Sequence, residues 1–211
     1  MDLYFSPLAC SLASRIALYE ARGEACFIEV DPKTKRTADG DHYLDIYPLG
    51  LVPVLRLEDG SLVSENAAIL QYIAARYPQA QLVPTGDIGR ARLQQWLCFI
   101  GTELHKGLFI PLFDRKAPEG TRTYTLEKYE SRLRYLNDHL NGRDYLLDRF
   151  SVADGYLYTV LNWTAPTRVD LAPWPAIKSY YESLQTRPSI AKAYLEELAL
   201  YKAELARHKA A

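Results

Sequence analysis

Apolar positions recur in two rhythms along this chain. Up to about residue 80, short β-type runs exchange with stretches of helical spacing, the pattern of an α/β domain. Leu3-Tyr4-Phe5 predicts a strand ended by Ser6-Pro7. Leu12, Ile16 and Tyr19, with Ala13 and Ala17 beside them, repeat as one helix face until Gly23. Cys26 to Val30 predicts a second strand, closed by Asp31-Pro32, and the polar stretch Lys33 to Tyr47 a loop with a short helix. Val54 to Leu57 and Ser61 to Val63 flank Asp59-Gly60, a preferred turn pair, and predict a hairpin. Ser64 is placed to cap a helix whose Ile69, Tyr72 and Ile73 share a face before Tyr77-Pro78. The predicted order is β-α-β-α-β-β-α.

Beyond a stretch rich in proline and glycine the rhythm is helical throughout. Leu93, Trp96, Leu97, Ile100 and Leu104 mark one helix, and Leu126, Tyr129, Leu133, Leu136 and Leu140 a second. Ser151-Val152-Ala153-Asp154 has the form of a capping box opening a helix with Leu157, Val160 and Leu161. Ile177, Tyr180, Tyr181 and Leu184 form another, and Ile190, Tyr194, Leu198, Tyr201 and Leu205 the last; the tail 206–211 is expected to fray. The organisation is therefore a domain over 1–78, a linker over 79–88 and an all-α C-terminal domain over 89–211.

Composition narrows the function. With 25 basic and 26 acidic side chains the formal charge is −1, which speaks against general nucleic-acid binding, because counterion release needs a concentrated basic face. No apolar run approaches the ~20 residues of a membrane span, and Met1 to Phe5 lacks the basic start of a signal peptide. Cys10, Cys26 and Cys98 form no CxxC pair, which suits a reducing, cytoplasmic setting. GxGxxG, Gly-Lys-Ser/Thr, HExxH and GxSxG are all missing, so nucleotide cradles, zinc proteases and nucleophile-elbow hydrolases are not indicated. Cys98 and His105 lie two helical turns apart, but two ligands without a third make no metal site. Asn162-Trp163-Thr164 fits a glycosylation sequon only by chance, given the helical apolar pattern around it.

Four features carry possible chemistry. Cys10 follows a strand at a helix start, where leading N–H groups and the macrodipole favour a thiolate, and Ser11 beside it is placed to donate to an anion. The same letters fit a buried filler and a cap. Val52-Pro53 at a strand start suggests a cis bond, leaving the Val52 main chain open to an extended peptide, or else a plain strand entry. Ser64-Glu65-Asn66 at a helix start suits an α-carboxylate on N–H groups and an ammonium on Glu65, and equally a simple cap. Lys35, in a basic run, is a second carboxylate partner or only a solvated charge.

These features, in this order and followed by a helical domain, resemble the glutathione transferase family. Ser6 to Ala13, Thr102 to Gly107 and Phe150 to Asp154 are similar to its bacterial beta class, in which a cysteine occupies the active-site turn. The resemblance implies an α/β thioredoxin-like N-terminal domain plus an all-α C-terminal domain, a cis Pro53, a cytoplasmic homodimer and a role in detoxification. It implies that the γ-glutamyl head of glutathione meets Glu65 and Asn66, that its cysteinyl backbone pairs with Val52 next to Pro53, and that Lys35 holds its glycyl carboxylate. Its sulfur then lies beside Cys10 and Ser11, with Cys98, Thr102, Glu103, Leu104 and His105 approaching at least partly from a second subunit. Phe109, Phe113 and Trp163 are expected to receive a small hydrophobic electrophile. Glutathione enters as co-substrate, and no cofactor, metal, nucleic acid or membrane is involved. Two departures, Asn66 where the family has Ser or Gly and Cys98 where close relatives carry Asn, imply weaker binding.

The implied chemistry is ionisation of the glutathione thiol and its attack on the electrophile, with Cys10, Ser11 and His105 as the catalytic candidates. A thiol of pKa near 8.5 needs about 2.7 kcal/mol of selective stabilisation to fall by two units, within reach of one or two hydrogen bonds to a charged group. A glutathione-dependent thiol–disulfide reductase using Cys10 through a mixed disulfide, and a non-catalytic carrier of hydrophobic ligands, are the alternatives.

Overall fold

The computed structural model describes residues 1–210, and its packing divides them into two compact units. One comprises Met1–Leu82 together with the last helix; the other is Val83–Arg187.

The first unit is built on a sheet of order β2-β1-β3-β4. Its strands are β1 (Asp2–Phe5), β2 (Cys26–Glu29), β3 (Val54–Arg56) and β4 (Leu62–Ser64). β1 is central, parallel to β2 and antiparallel to β3, and its Leu3, Tyr4 and Phe5 are all buried. The parallel pair requires a crossover, supplied by helix α1 (Leu12–Ala21). Tyr4 packs with Val30, Tyr43 and Val54 on one face. Tyr43 opens the single turn α2 (Tyr43–Ile46), and helix α3 (Asn66–Arg76) packs against α1. The predicted element order stands as read, and the Asp59-Gly60 turn closes the hairpin with Gly60 at φ +83°.

Two element ends differ from expectation. α1 terminates with Arg22, not Gly23, in the left-handed region, at φ +51°. Gly23 serves another need: a Cβ there would lie 2.7 Å from the Tyr77 ring. Ser64 is the last residue of β4 rather than a cap, and Glu65 enters α3 at φ +70°.

The second unit is helical. α4 (Asp87–Phe99) runs on as a π-helix over Ile100–Phe109 and ends as α5 (Ile110–Phe113). It is followed by α6 (Thr121–Leu140), α7 (Val152–Leu161), the short α8 (Thr164–Thr167) and α9 (Pro175–Gln185). α7 is buried on every side, as a helix apolar all round should be. The predicted capping box opens it: Asp154 accepts from Ser151 N–H and Oγ at 2.8 and 2.9 Å. Asp154 also accepts from Leu146 N–H at 2.8 Å and Tyr180 Oη at 2.7 Å, so this fully buried carboxylate is held by four donors. Burial nevertheless outweighs those donors and raises its pKa. Gly107 admits α6, because a Cβ there would meet Tyr129 Oη at 2.3 Å. The sequon lies in this packed region, with Trp163 and Thr164 buried and Asn162 accepting from Tyr181.

The last helix, α10 (Pro188–Ala210), packs on α1 in the first unit. Its buried face is not the stripe read from the sequence. Ile190, Ala193, Glu197 and Glu204 point inward, while Tyr201 and Leu205 are exposed. The reason is Arg15, buried in α1 over the rings of Phe5 and Phe27, which demands a carboxylate. Nor does the tail fray at 206: the helix continues through Ala210, with His208 bonded to Asp31 at 2.7 Å. Ala211 lies outside the described residues.

Candidate active site

In the first unit the predicted residues meet at one end of the sheet. Between β1 and α1, Ser6 to Ser11 fold into a turn with Leu8 at φ +57°. Leu8 N–H donates to Glu197 at 2.7 Å, and Arg15 Nε holds the same carboxylate at 2.9 Å. Ser11 closes the turn from inside: its Oγ accepts from Ser6 N–H at 3.3 Å and donates to Ser6 O at 3.2 Å. Ser11 has 0% exposure and both of its hydroxyl's hydrogen bonds are made within the turn, a structural engagement rather than the outward donation expected for it. Cys10 is half-buried, and its Sγ donates to Val52 O at 3.1 Å.

The Val52–Pro53 bond is cis. Val52 precedes β3, outside the ladder that pairs Val54 to Arg56 with β1, so its main chain is an edge for an extended ligand. The approach to it is built by Lys35 and Tyr43. Lys35, at φ +56°, donates from Nζ to Gly50 O at 3.0 Å, and Tyr43 Oη donates to Leu51 O at 2.8 Å. Glycine suits position 50, at φ +61° and with a Cβ position 2.8 Å from the Leu44 side chain. Glu65 is exposed at the mouth of α3, where its carbonyl accepts from the Ala68 and Ile69 N–H groups at 3.0 Å and the Asn66 and Ala67 N–H groups precede the first helical bonds. Its positive φ is the kind of local strain that collects at functional sites. Asn66 differs from expectation, its side chain pointing inward: Nδ2 donates to Cys10 O at 2.9 Å and Oδ1 accepts from Ser14 Oγ at 3.2 Å. A cationic Lys35, an anionic Glu65, an open strand edge and a thiol thus share one rim.

In the second unit the π-helix carries Thr102, Glu103, Leu104, His105 and Phe109, with Cys98 just before it on α4, Phe113 after it on α5 and Trp163 between α7 and α8. π-Helical segments are rare and favour functional positions. Cys98 is exposed and accepts from Gln94 at 3.3 Å, and Thr102 Oγ1 donates to Cys98 O at 2.9 Å. Glu103 is paired with Arg132 at 2.9 Å, and Leu104 is buried. His105 Nδ1 meets Tyr156 Oη at 2.8 Å, and its ring lies edge-on to Trp163 with centroids 5.0 Å apart. Burial, then the neighbouring Lys106, lowers the His105 pKa to about 4, so the imidazole is neutral at physiological pH. Phe109 and Phe113 also pack on Trp163, at 5.9 and 5.7 Å. Their surroundings differ: Phe109 is 0% exposed and belongs to the core, whereas Phe113 is 42% exposed. Sequence reasoning missed Tyr156, Ser14 and Glu197. Only Glu197 left a signal, an acid on the flank of an apolar helical stripe.

Comparison with known proteins decides the family. The glutathione S-transferase N-terminal domain model matches residues 9–76 and the C-terminal domain model residues 102–197. The glutathione S-transferase GstA of Escherichia coli O157:H7 is 38% identical over 199 residues, covering 93% of this chain and 98% of its own. The chain belongs to the glutathione S-transferase family. Among solved structures, a sphingomonad glutathione S-transferase complexed with glutathione matches at TM-score 0.88 and 39% identity, over 93% of this chain and 98% of its own. The beta-class glutathione S-transferase of Sphingomonas chungbukensis matches at TM-score 0.88 and 37% identity, with the same coverage. The transferase fold and the beta-class resemblance are both borne out. No helix among the described residues is long and apolar enough to cross a membrane, and none of their side chains form a metal-binding group.

Proposed function

We propose that this chain binds glutathione on the rim of its first unit, ionises the thiol and directs it at hydrophobic electrophiles. One observation carries the proposal: Cys10, the Val52 edge, Lys35 and the Glu65 helix mouth converge on one end of the sheet. A thiol-bearing tripeptide with two carboxylates and one ammonium is complementary to that set. Val52 pairs with the cysteinyl backbone, Lys35 holds the glycyl carboxylate, and the α3 N–H groups with Glu65 receive the γ-glutamyl head. The sulfur lies at the start of α1 beside Cys10, where the macrodipole favours its anion. Its proton passes to solvent, a sulfur–carbon bond forms, and the leaving group departs with the electrophile's bonding pair. Ser11 holds the turn and is not the sulfur's donor. His105 acts as a neutral hydrogen-bonding group, and Phe113 with the Trp163 edge receives the electrophile. A cytoplasmic homodimer with glutathione as sole co-substrate completes the proposal; sedimentation should give about twice the 24.0 kDa of one chain.

Initial-rate conjugation of 1-chloro-2,4-dinitrobenzene tests the chemistry. Saturable dependence on glutathione is expected, and folded protein inert toward a panel of aryl halides, epoxides and enones would overturn the proposal. Cys10→Ala separates the mixed-disulfide alternative: loss of glutathione-dependent disulfide reduction with conjugation retained would assign the thiol to redox chemistry alone.

A further inference from the structure

Asn66 opens α3, yet its amide faces away from the helix mouth and is 4% exposed. The amide's orientation is unambiguous. The Cys10 carbonyl only accepts, so the group 2.9 Å from it is the NH₂, and the buried Ser14 hydroxyl donates to the oxygen at 3.2 Å. The Cys10 carbonyl also accepts from Ala13 N–H at 3.2 Å, so two donors fix the peptide that follows Cys10. On the other side of the same residue the sulfur reaches Val52 O at 3.1 Å. Which rotamers a side chain can take depends on its backbone, so clamping the carbonyl narrows the directions open to the thiol.

We propose that Asn66 is a positioning residue for Cys10: its amide, oriented by Ser14, clamps the Cys10 carbonyl and thereby holds the thiol against Val52. The brace spans three elements that are distant in sequence, α1, the turn before it and α3. Only its catalytic consequence rests on the proposed glutathione chemistry; the clamp itself does not.

The decisive measurement is alkylation of Cys10 by iodoacetamide in ligand-free protein, followed by peptide mass. Asn66→Asp keeps the shape and an oxygen for Ser14 but places an acceptor against the Cys10 carbonyl, and Asn66→Ala removes both contacts. Both should alkylate about threefold faster or more, because a thiol released from Val52 is more accessible. Ser14→Ala should act in the same direction and less. In conjugation, both Asn66 variants should lose about tenfold in kcat with the electrophile KM within twofold, the signature of a displaced group beside the reacting sulfur. Alkylation indistinguishable from wild type in folded Asn66→Ala and Ser14→Ala would overturn the proposal, even if melting temperature falls. Absence of glutathione binding in wild type would sink the functional proposal alone, since the alkylation arm contains no glutathione.

Discussion

Replacing Glu197 by Ala leaves two buried groups without their shared partner: the Arg15 guanidinium, 2.9 Å from the carboxylate, and the Leu8 N–H, 2.7 Å from it. Glu196 and Tyr19 still reach Arg15, but from the more exposed side. Removing one member of a buried pair costs about 3–5 kcal/mol, because the remaining charge stays desolvated. At about 2–4 °C per kcal/mol for a chain of this size, the melting temperature should fall by ~6–20 °C in scanning calorimetry at pH 8. A second arm uses pH. Burial, opposed by Arg15 and Leu8 N–H, lifts the Glu197 pKa from 4.5 to about 7. Between those values the folded protein holds a proton that the unfolded chain has released. Its stabilising contribution is therefore full below pH 4.5 and is lost as pH rises through about 7, worth about 3 kcal/mol in all. Urea melts of wild type and Glu197→Gln from pH 5 to 8 should thus show wild type losing stability relative to the variant as pH rises. A melting temperature for Glu197→Ala within about 2 °C of wild type would refute the assignment of the carboxylate as a buried partner of Arg15, and a pH-independent difference from Glu197→Gln would refute burial as the dominant influence on its titration.

His105 should give the opposite slope. Its pKa falls from 6.5 to about 4, so the unfolded chain takes up the proton first and the contribution, intact above pH 6.5, is lost as pH falls through about 4. Urea melts of wild type and His105→Gln should converge on acidification. Asp154→Ala removes the acceptor of Ser151 N–H, Leu146 N–H and Tyr180 Oη and should cost about 3 kcal/mol or more in urea unfolding, with α7 losing its start. Gly107→Ala drives a Cβ into the Tyr129 ring and should cost about 1–3 kcal/mol, most of it recovered in thermal melts when Tyr129 is also truncated.

Much of this was legible from residue patterns. The β-α-β-α-β-β-α order followed from apolar periodicity and turn chemistry, and the Ser151–Asp154 box declared itself because a reciprocal cap needs those residue types three apart. The end of the sheet was partly legible too, because Cys10, Val52-Pro53 and Glu65 each sit at an element boundary, whereas Lys35 stands out only as part of a basic run in a loop. What failed depended on contacts distant in sequence. α10 was assigned the wrong face because its inward residues include Glu197 and Glu204, which no hydrophobic pattern places inside; only the buried Arg15 explains the first of them. Ser11 fits an outward donor or a cap by sequence, and the resemblance turns Asn66 toward the ligand, but each meets an internal acceptor, Ser6 O and Cys10 O. A hydroxyl or amide at a helix start advertises a donor, and only tertiary packing decides which acceptor takes it. Phe109 shows the same limit, an aromatic at the right spacing whose ring is wholly enclosed.

Isothermal titration of reduced glutathione into the folded, ligand-free protein tests the central claim most directly. Saturable heat is expected, one site per chain, weakened about tenfold or more in Lys35→Ala and Glu65→Ala by loss of charged hydrogen bonds. No heat from wild type, or heat that survives both substitutions unchanged, would contradict the placement of the tripeptide on this rim.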